Sequence, residues 1–209
     1  MKPKMKLILA TRNQHKIKEI KKILSEHNGL NNKIEILTLR DFPDVPEVEE
    51  TGKTMEENAV LKAKSVFNVT GIPALADDSG LEVDALDGAP GVMSARFAGP
   101  GCSYKDNNLK LLNLMEGIPE EKRGATFRCV VALVVNLDDI RILEGKVRGV
   151  ITQNEIGGNG FGYDPVFFYP ESGETFAQLE PDEKNKISHR GIAFRKAEEL
   201  IKILMTDNE

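Results

Sequence analysis

Lys6-Leu7-Ile8-Leu9-Ala10-Thr11-Arg12-Asn13-Gln14-His15-Lys16-Ile17 is the stretch from which the architecture can be read. A short apolar run stops at Thr11-Arg12-Asn13. It gives way to a helical pattern with Ile17, Ile20, Ile23 and Leu24 on one face and lysines opposite. The segment predicts a strand, a polar turn and a helix, which is the opening of an α/β unit. Ile34 to Leu37 continues as a second strand, ended by the Pro43 and Pro46 region. Thr54-Met55-Glu56-Glu57 has the spacing of a capping box, opening a helix to about Phe67 that buries Ala59, Ala63, Val66 and Phe67.

Ala74 to Ala76 reads as a short buried strand closed by Asp77-Asp78-Ser79-Gly80, and Gly88-Ala89-Pro90-Gly91 as a turn. Asn108 to Met115 is helical. Ala125 to Asn136 is the most strand-like run, and Asp138-Asp139 turns it into a second strand, Ile140 to Ile151. Gly157 to Gly162 forms a glycine-rich loop, and Val166 to Tyr169 a short strand. Ser188 caps a last helix with Phe194, Ala197, Leu200, Ile201 and Leu204 on its apolar face. Helices alternating with strands, interrupted by one hairpin, imply an α/β fold on a mixed sheet, with ligands at the loops past strand ends.

The 209 residues suit one domain, or two small lobes, and a 40% hydrophobic content is enough for a real core. A net charge of −5 does not suit a molecule that coats nucleic acid or an anionic membrane. Anionic ligands then need local cations, backbone amides or a metal. No apolar run approaches the ~18–20 residues of a membrane span, and Leu7 to Ala10 is too short for a signal-peptide core. Cys102 and Cys129 are two thiols without a disulfide framework, as expected of a cytoplasmic protein.

Four segments carry chemistry. Thr11-x-Asn13-x-x-Lys16 lies at a strand-to-helix turn, where amides and the helix dipole favour an anion and Lys16 adds a point charge. The glycines of a Walker loop are absent, and the same residues also suit a plain helix cap. Asp77 and Asp78 follow a buried strand, face opposite ways, and cost desolvation unless a cation compensates. Mg²⁺ suits such acids, because it takes a few carboxylates, keeps waters and bridges to phosphates. A solvated strand end is the bland alternative, and Glu47, Glu49 and Glu50 form a weaker acidic run.

The third segment, Gly157 to Asp164, sets Phe161 and Tyr163 among glycines that let backbone approach a ligand and rings stack on a base. A bland loop with Phe161 packed inward reads equally well. In the fourth, Ser188 at the N-cap puts His189 and Arg190 in a first helical turn, where the dipole disfavours cations. A local conflict of this kind marks a group wanted by something outside the helix. A purine carbonyl at position six accepts from such donors, whereas the adenine amino group sets donor against donor.

In this order the motifs resemble the inosine/xanthosine triphosphate pyrophosphatase family. They are Thr11-x-Asn13-x-x-Lys16, Glu49-Glu50-Thr51-Gly52, Glu57-Asn58, Ala76-Asp77-Asp78-Ser79-Gly80-Leu81, Gly88-Ala89-Pro90-Gly91, Ser94-Ala95-Arg96-Phe97, Gly160-Phe161-Gly162-Tyr163-Asp164-Pro165 and Ser188-His189-Arg190. The match runs from about Leu7 to the final helix. The resemblance implies one two-lobed α/β domain over residues 1–209, built on an elongated mixed β-sheet around a central substrate cleft, and usually a homodimer. It implies Mg²⁺-dependent cleavage of ITP, dITP or XTP to the monophosphate and pyrophosphate.

By position, Thr11, Arg12, Asn13, Gln14, His15, Lys16 and Lys184 match triphosphate contacts. Glu49 and Asp78 match metal ligands, with Asp78 also the proton acceptor. Ser79, Phe161, Gly162, Tyr163, Asp164, His189 and Arg190 match substrate contacts, the last two toward the base. Pyrophosphatases of modified pyrimidine nucleotides remain an alternative that has no need of Ser-His-Arg. A nucleotide-binding regulator without catalysis is a second, against which the Asp77-Asp78 pair stands.

Overall fold

A computed structural model of the chain describes residues 4–26 and 33–206. The strands are β1 (Met5–Leu9), β2 (Ile34–Thr38), β3 (Ala74–Val83), β4 (Gly124–Val134), β5 (Ile140–Ile151), β6 (Phe167–Tyr169) and β7 (Glu174–Thr175). The α-helices are α1 (Gln14–Glu26), α2 (Met55–Thr70), α3 (Tyr104–Leu114), α4 (Pro181–Ile187) and α5 (His189–Thr206). Hydrogen bonding orders the strands β2-β1-β3-β4-β5-β6-β7. β1 is parallel to both β2 and β3, while β5–β6 and β6–β7 are antiparallel. This is the mixed α/β sheet that the alternating pattern predicts.

Contacts divide the chain into two compact units. The first comprises Met1–Asp78, Cys129–Gly145 and Arg190–Glu209, and the second Ser79–Arg128 and Lys146–His189. In the first unit β1 has parallel neighbours on both sides, and Leu7, Ile8 and Leu9 are all buried. That explains why it reads as a continuous apolar run with no alternation. Ile20, Ile23 and Leu24 of α1 and Ala193, Phe194, Ala197 and Ile201 of α5 close one core with Leu7, Leu9, Leu75, Cys129, Val131 and Leu133. Leu75 and Asp77 share a face of β3 by the strand's two-residue period, so Asp77 lies on the α1 and α5 side.

Half of the expected capping box of α2 forms. The Thr54 side chain accepts from Glu57 N, and the helix ends at Gly71, whose φ of 65° is left-handed. The Glu57 carboxylate accepts from Lys53 N at 2.6 Å, one residue before the cap. Phe67, expected to be buried, is only half-buried.

Three elements differ from expectation. β3 does not stop at Ala76 but continues to Val83, because Asp77 and Asp78 meet cations inside the strand and need no water. α3 begins at Tyr104 rather than Asn108, because Ser103 and Asp106 make a capping box. A separate helix, α4, starts with proline in its first turn, and Ser188 is the extended residue between it and α5.

In the second unit Phe127, Phe167 and Phe176 form a ring cluster, with centroids 4.5 Å apart for Phe127–Phe167 and 4.9 Å for Phe167–Phe176. The buried Arg123 guanidinium donates to the carbonyls of Met115 at 2.6 Å and of Ile151 and Thr152 at 2.7 Å. It therefore ties the end of α3 to the end of β5.

Phe194→Ala is expected to lower stability by about 3–5 kcal/mol through lost burial and the cavity it leaves. Urea unfolding followed by circular dichroism measures this.

Candidate active site

The polar turn after β1 organises itself first. Asn13 Oδ1 accepts from His15 N at 3.0 Å and Lys16 N at 3.3 Å, and Asn13 N donates to Thr11 Oγ1 at 3.2 Å. Asn13 thus caps α1 and takes up two of the amides expected to point at an anion. Arg12 donates to Val45 O at 2.7 Å, and the Gln14 amide to Arg12 O at 3.1 Å. Arg12, Gln14 and His15 are exposed, while Thr11 and Lys16 are partly buried.

Lys16 points its Nζ at Asp77 Oδ2, 2.9 Å away, and Arg190 Nη2 reaches the same oxygen at 3.4 Å. The Asp77 side chain is wholly buried. Burial alone pushes its pKa up, but Lys16, Arg190 and Lys62 together hold it far below the usual carboxylate range. Arg190, 2% exposed, also binds Glu19 Oε2 at 2.7 Å. Burial works against its charge, and the carboxylates of Glu19 and Asp77 overcome that, so the guanidinium stays protonated. The conflict of a cation in the first turn of α5 is resolved by these two acids.

Asp78 faces the other way, as strand geometry requires. Its Oδ1 binds Lys62 Nζ at 3.0 Å, and Lys62 also binds Glu50 Oε1 at 2.7 Å. Asn58, fully buried in α2, donates to Asp78 Oδ2 at 3.4 Å and accepts from Gly52 N at 2.8 Å. It therefore ties the loop carrying Glu50 to β3. Burial pushes the Asp78 pKa up, Lys62 opposes this, and the like charge of Glu50 adds to it, with a net rise. Lys62 is held protonated, its burial outweighed by Asp78, Asp77 and Glu50.

The structure brings Glu50 to the Lys62 ammonium that Asp78 also binds. Glu49, the residue matched to a metal ligand, is exposed, and its carbonyl accepts from Thr51 N at 3.0 Å. Among the described residues no group of three or more His, Cys, Asp or Glu side chains is placed to hold a metal.

The second unit holds the rest. Lys184 Nζ pairs with Asp164 Oδ2 at 2.6 Å, with both side chains buried, and lies 5.1 Å from the centroid of the Phe161 ring. The same carboxylate oxygen accepts from Phe161 N at 2.8 Å. Gly160 has a φ of 75°, and a Cβ there falls on the Asp164 carboxylate, so this turn requires glycine. Tyr163 is buried and donates from its hydroxyl to Ser94 O at 2.9 Å, and Gly162 O accepts from Asn108 Nδ2 at 3.1 Å. Phe161 is half-buried, and His189 stacks on Phe127 at 4.5 Å and 7°. Ser79 is partly buried within β3.

The site residues thus fall into two groups. Lys16, Asp78 and Arg190 lie in the first unit with Asp77. Ser79, Phe161, Gly162, Tyr163, Asp164, Lys184 and His189 lie in the second. Sequence reading missed Glu19 and Lys62 as parts of the charged cluster, and had Asn58 only as a motif residue without a role. Glu19 falls one helical turn after Lys16, and Asn58 and Lys62 are one turn apart on α2. That spacing was the available signal.

A family model described as the Ham1 family matches residues 7–200. The chain is 52% identical over 188 residues to a dITP/XTP pyrophosphatase of Geobacter sulfurreducens, covering 90% of this chain and 92% of that protein. It is 51% identical over 198 residues to a dITP/XTP pyrophosphatase of Elusimicrobium minutum, covering 95% and 100%. The solved structure of a HAM1 protein from Coxiella burnetii matches with a TM-score of 0.85 at 40% identity, over 94% of this chain and 98% of that one.

Asp77→Asn leaves Lys16 and Arg190 facing a neutral side chain, and is expected to cost about 3–5 kcal/mol of stability at neutral pH. Because the folded state depresses the Asp77 pKa, this stabilisation is present in full above the unfolded value of about 3.9 and fades as pH falls below it. The gap between wild type and variant in urea unfolding should therefore narrow in acid.

Proposed function

The chain belongs to the Ham1 family, and from that membership we propose that it hydrolyses deaminated purine nucleoside triphosphates: dITP, ITP and XTP. The products are the monophosphate and pyrophosphate, which removes these nucleotides from the pool before they enter DNA and RNA. The observation that carries this reading is the back-to-back acid pair of β3. Asp77 is committed to Lys16 and Arg190, while Asp78 is set against Lys62 and Glu50.

Asp78 is a buried carboxylate whose proton affinity exceeds that of a surface aspartate, which suits it to take a proton from an attacking water. Lys62 holds its carboxylate in place. Lys16 and Lys184 are the cations we assign to the triphosphate, and Thr11 and Asn13 line the turn beside Lys16. Fixed cations facing the leaving pyrophosphate stabilise charge as it develops without reorganising.

Mg²⁺ is the proposed cofactor. Glu50 and Asp78 converge on one cationic group, and two carboxylates aimed at one positive charge are a donor set that a hard divalent ion accepts, with waters filling the remainder. When bound, the ion supplies charge neutralisation on the phosphates and an acidified water. Glu49 and Asp78 are the ligands the resemblance assigns, and Glu50, next to Glu49, is the carboxylate that shares Lys62 with Asp78.

Phe161 offers the base a stacking face, and Gly162, Tyr163, Asp164 and Ser79 belong to the same substrate assignment. His189 and Arg190 are assigned to the carbonyl at position six. A guanidinium carries five donors, so ion pairs to Glu19 and Asp77 are compatible with a further acceptor. A homodimer and a cytoplasmic location belong to the same proposal. Leu109 and Leu114, exposed on α3, supply apolar surface for the former. No helix among the described residues is long and apolar enough to cross a membrane.

With Mg²⁺, the protein is expected to release pyrophosphate from ITP and XTP far faster than from ATP, whose amino group at position six meets donor with donor. Asp78→Asn should lower that rate by about 10²-fold or more while the circular dichroism spectrum is unchanged. Release of inorganic phosphate in place of pyrophosphate would overturn the proposed reaction. Near wild-type turnover of Asp78→Asn would remove Asp78 from it.

A further inference from the structure

We infer that Glu19 is a positioning residue of this site, acting on Lys16 through Arg190 and Asp77. The inference rests on the proposed binding of a triphosphate at Lys16. Asp77 offers one oxygen, Oδ2, to both Lys16 at 2.9 Å and Arg190 at 3.4 Å. One oxygen that serves two cations serves either poorly unless one of them has a better partner. Arg190 has that partner in Glu19, at the shorter distance of 2.7 Å.

Glu19 is no surface ornament. Its side chain is 14% exposed, and that of Arg190 is 3% exposed. In such surroundings an ion pair is screened little, and a guanidinium stripped of one acid moves toward the nearest other. That other acid is Asp77. The route therefore runs from Glu19 to Arg190, from Arg190 to Asp77, and from Asp77 to Lys16. Glu19 sits on α1 one turn beyond Lys16, so a single helix supplies both the phosphate-binding cation and the acid that keeps its counter-ion available. Remove the Glu19 charge and Arg190 takes over Asp77 Oδ2, and Lys16 loses the contact that aims it.

The test uses Glu19→Gln, which keeps the size and removes the charge, with Glu19→Asp as a second variant that keeps the charge on a shorter stem. The readouts are pyrophosphate release from ITP and calorimetric binding of inorganic tripolyphosphate. Glu19→Gln is expected to raise KM for ITP about tenfold with kcat changed less than about threefold, and to weaken tripolyphosphate binding in parallel. Glu19→Asp should lie between it and wild type. In a Lys16→Met background the same substitution should change tripolyphosphate binding, which involves no base, by less than about twofold, since the route ends at Lys16.

A Glu19→Gln protein with wild-type KM and tripolyphosphate affinity overturns the inference. So does an undiminished loss of tripolyphosphate binding in the Lys16→Met background, which is what a merely structural role produces. Should Glu19→Gln not fold, Glu19→Asp with wild-type constants in both readouts, or with the same loss of tripolyphosphate binding in the Lys16→Met background, overturns it equally. If wild type releases no pyrophosphate from ITP, the enzymatic reading fails by itself, while tripolyphosphate binding still reads the route from Glu19 to Lys16.

Discussion

A carboxylate with no exposed surface, Asp77, sits in the middle of β3 and holds Lys16 of α1 and Arg190 of α5 on one oxygen. Three elements distant in sequence meet at that atom. The cost of burying an aspartate is large unless cations repay it, and here two cations stand within 3.4 Å. The pairing lets β3 run through an acidic stretch that would otherwise end a buried strand. It also anchors the start of α5 against its own dipole, with the helix's apolar face completing the core around Phe194.

Because successive strand residues point to opposite faces, the adjacent acids do different work. Asp77 is neutralised and structural in its first duty, and its proton is lost well below the usual range. Asp78 meets Lys62 and Asn58 of α2 and, through Lys62, Glu50. Its proton is held more tightly than in water, because burial and Glu50 outweigh Lys62. Two neighbouring aspartates are thus driven in opposite directions: three cations outweigh the burial of Asp77, while the like charge of Glu50 adds to the burial of Asp78.

The second unit repeats the strategy with different partners. Asp164 binds Lys184 and the amide of Phe161 on one oxygen, so the loop conformation and the cation are fixed together. The positive φ of Gly160 and the absence of its Cβ make room for that carboxylate. Arg123 shows another solution to a buried charge, since its guanidinium is surrounded by backbone carbonyls. Hydrogen bonds to carbonyl dipoles satisfy the group without balancing its charge.

The sequence by itself determined the elements whose reasons are local. The apolar run of β1 and the amphipathic face of α1 were legible, as were the Thr54 cap of α2 and the β4–β5 pair, because periodicity and capping act over a few residues. It also determined which side chains to watch: Lys16, Asp77, Asp78, Asp164, Lys184 and Arg190. Only the tertiary structure decided who faces whom. It extended β3 through the two acids, set Glu50 and Asp78 on the one ammonium of Lys62, and gave Arg190 to Glu19, 171 positions away in the chain. Local pattern records which groups are charged. Whether burying a charge is tolerable depends on partners that only folding brings within hydrogen-bonding reach.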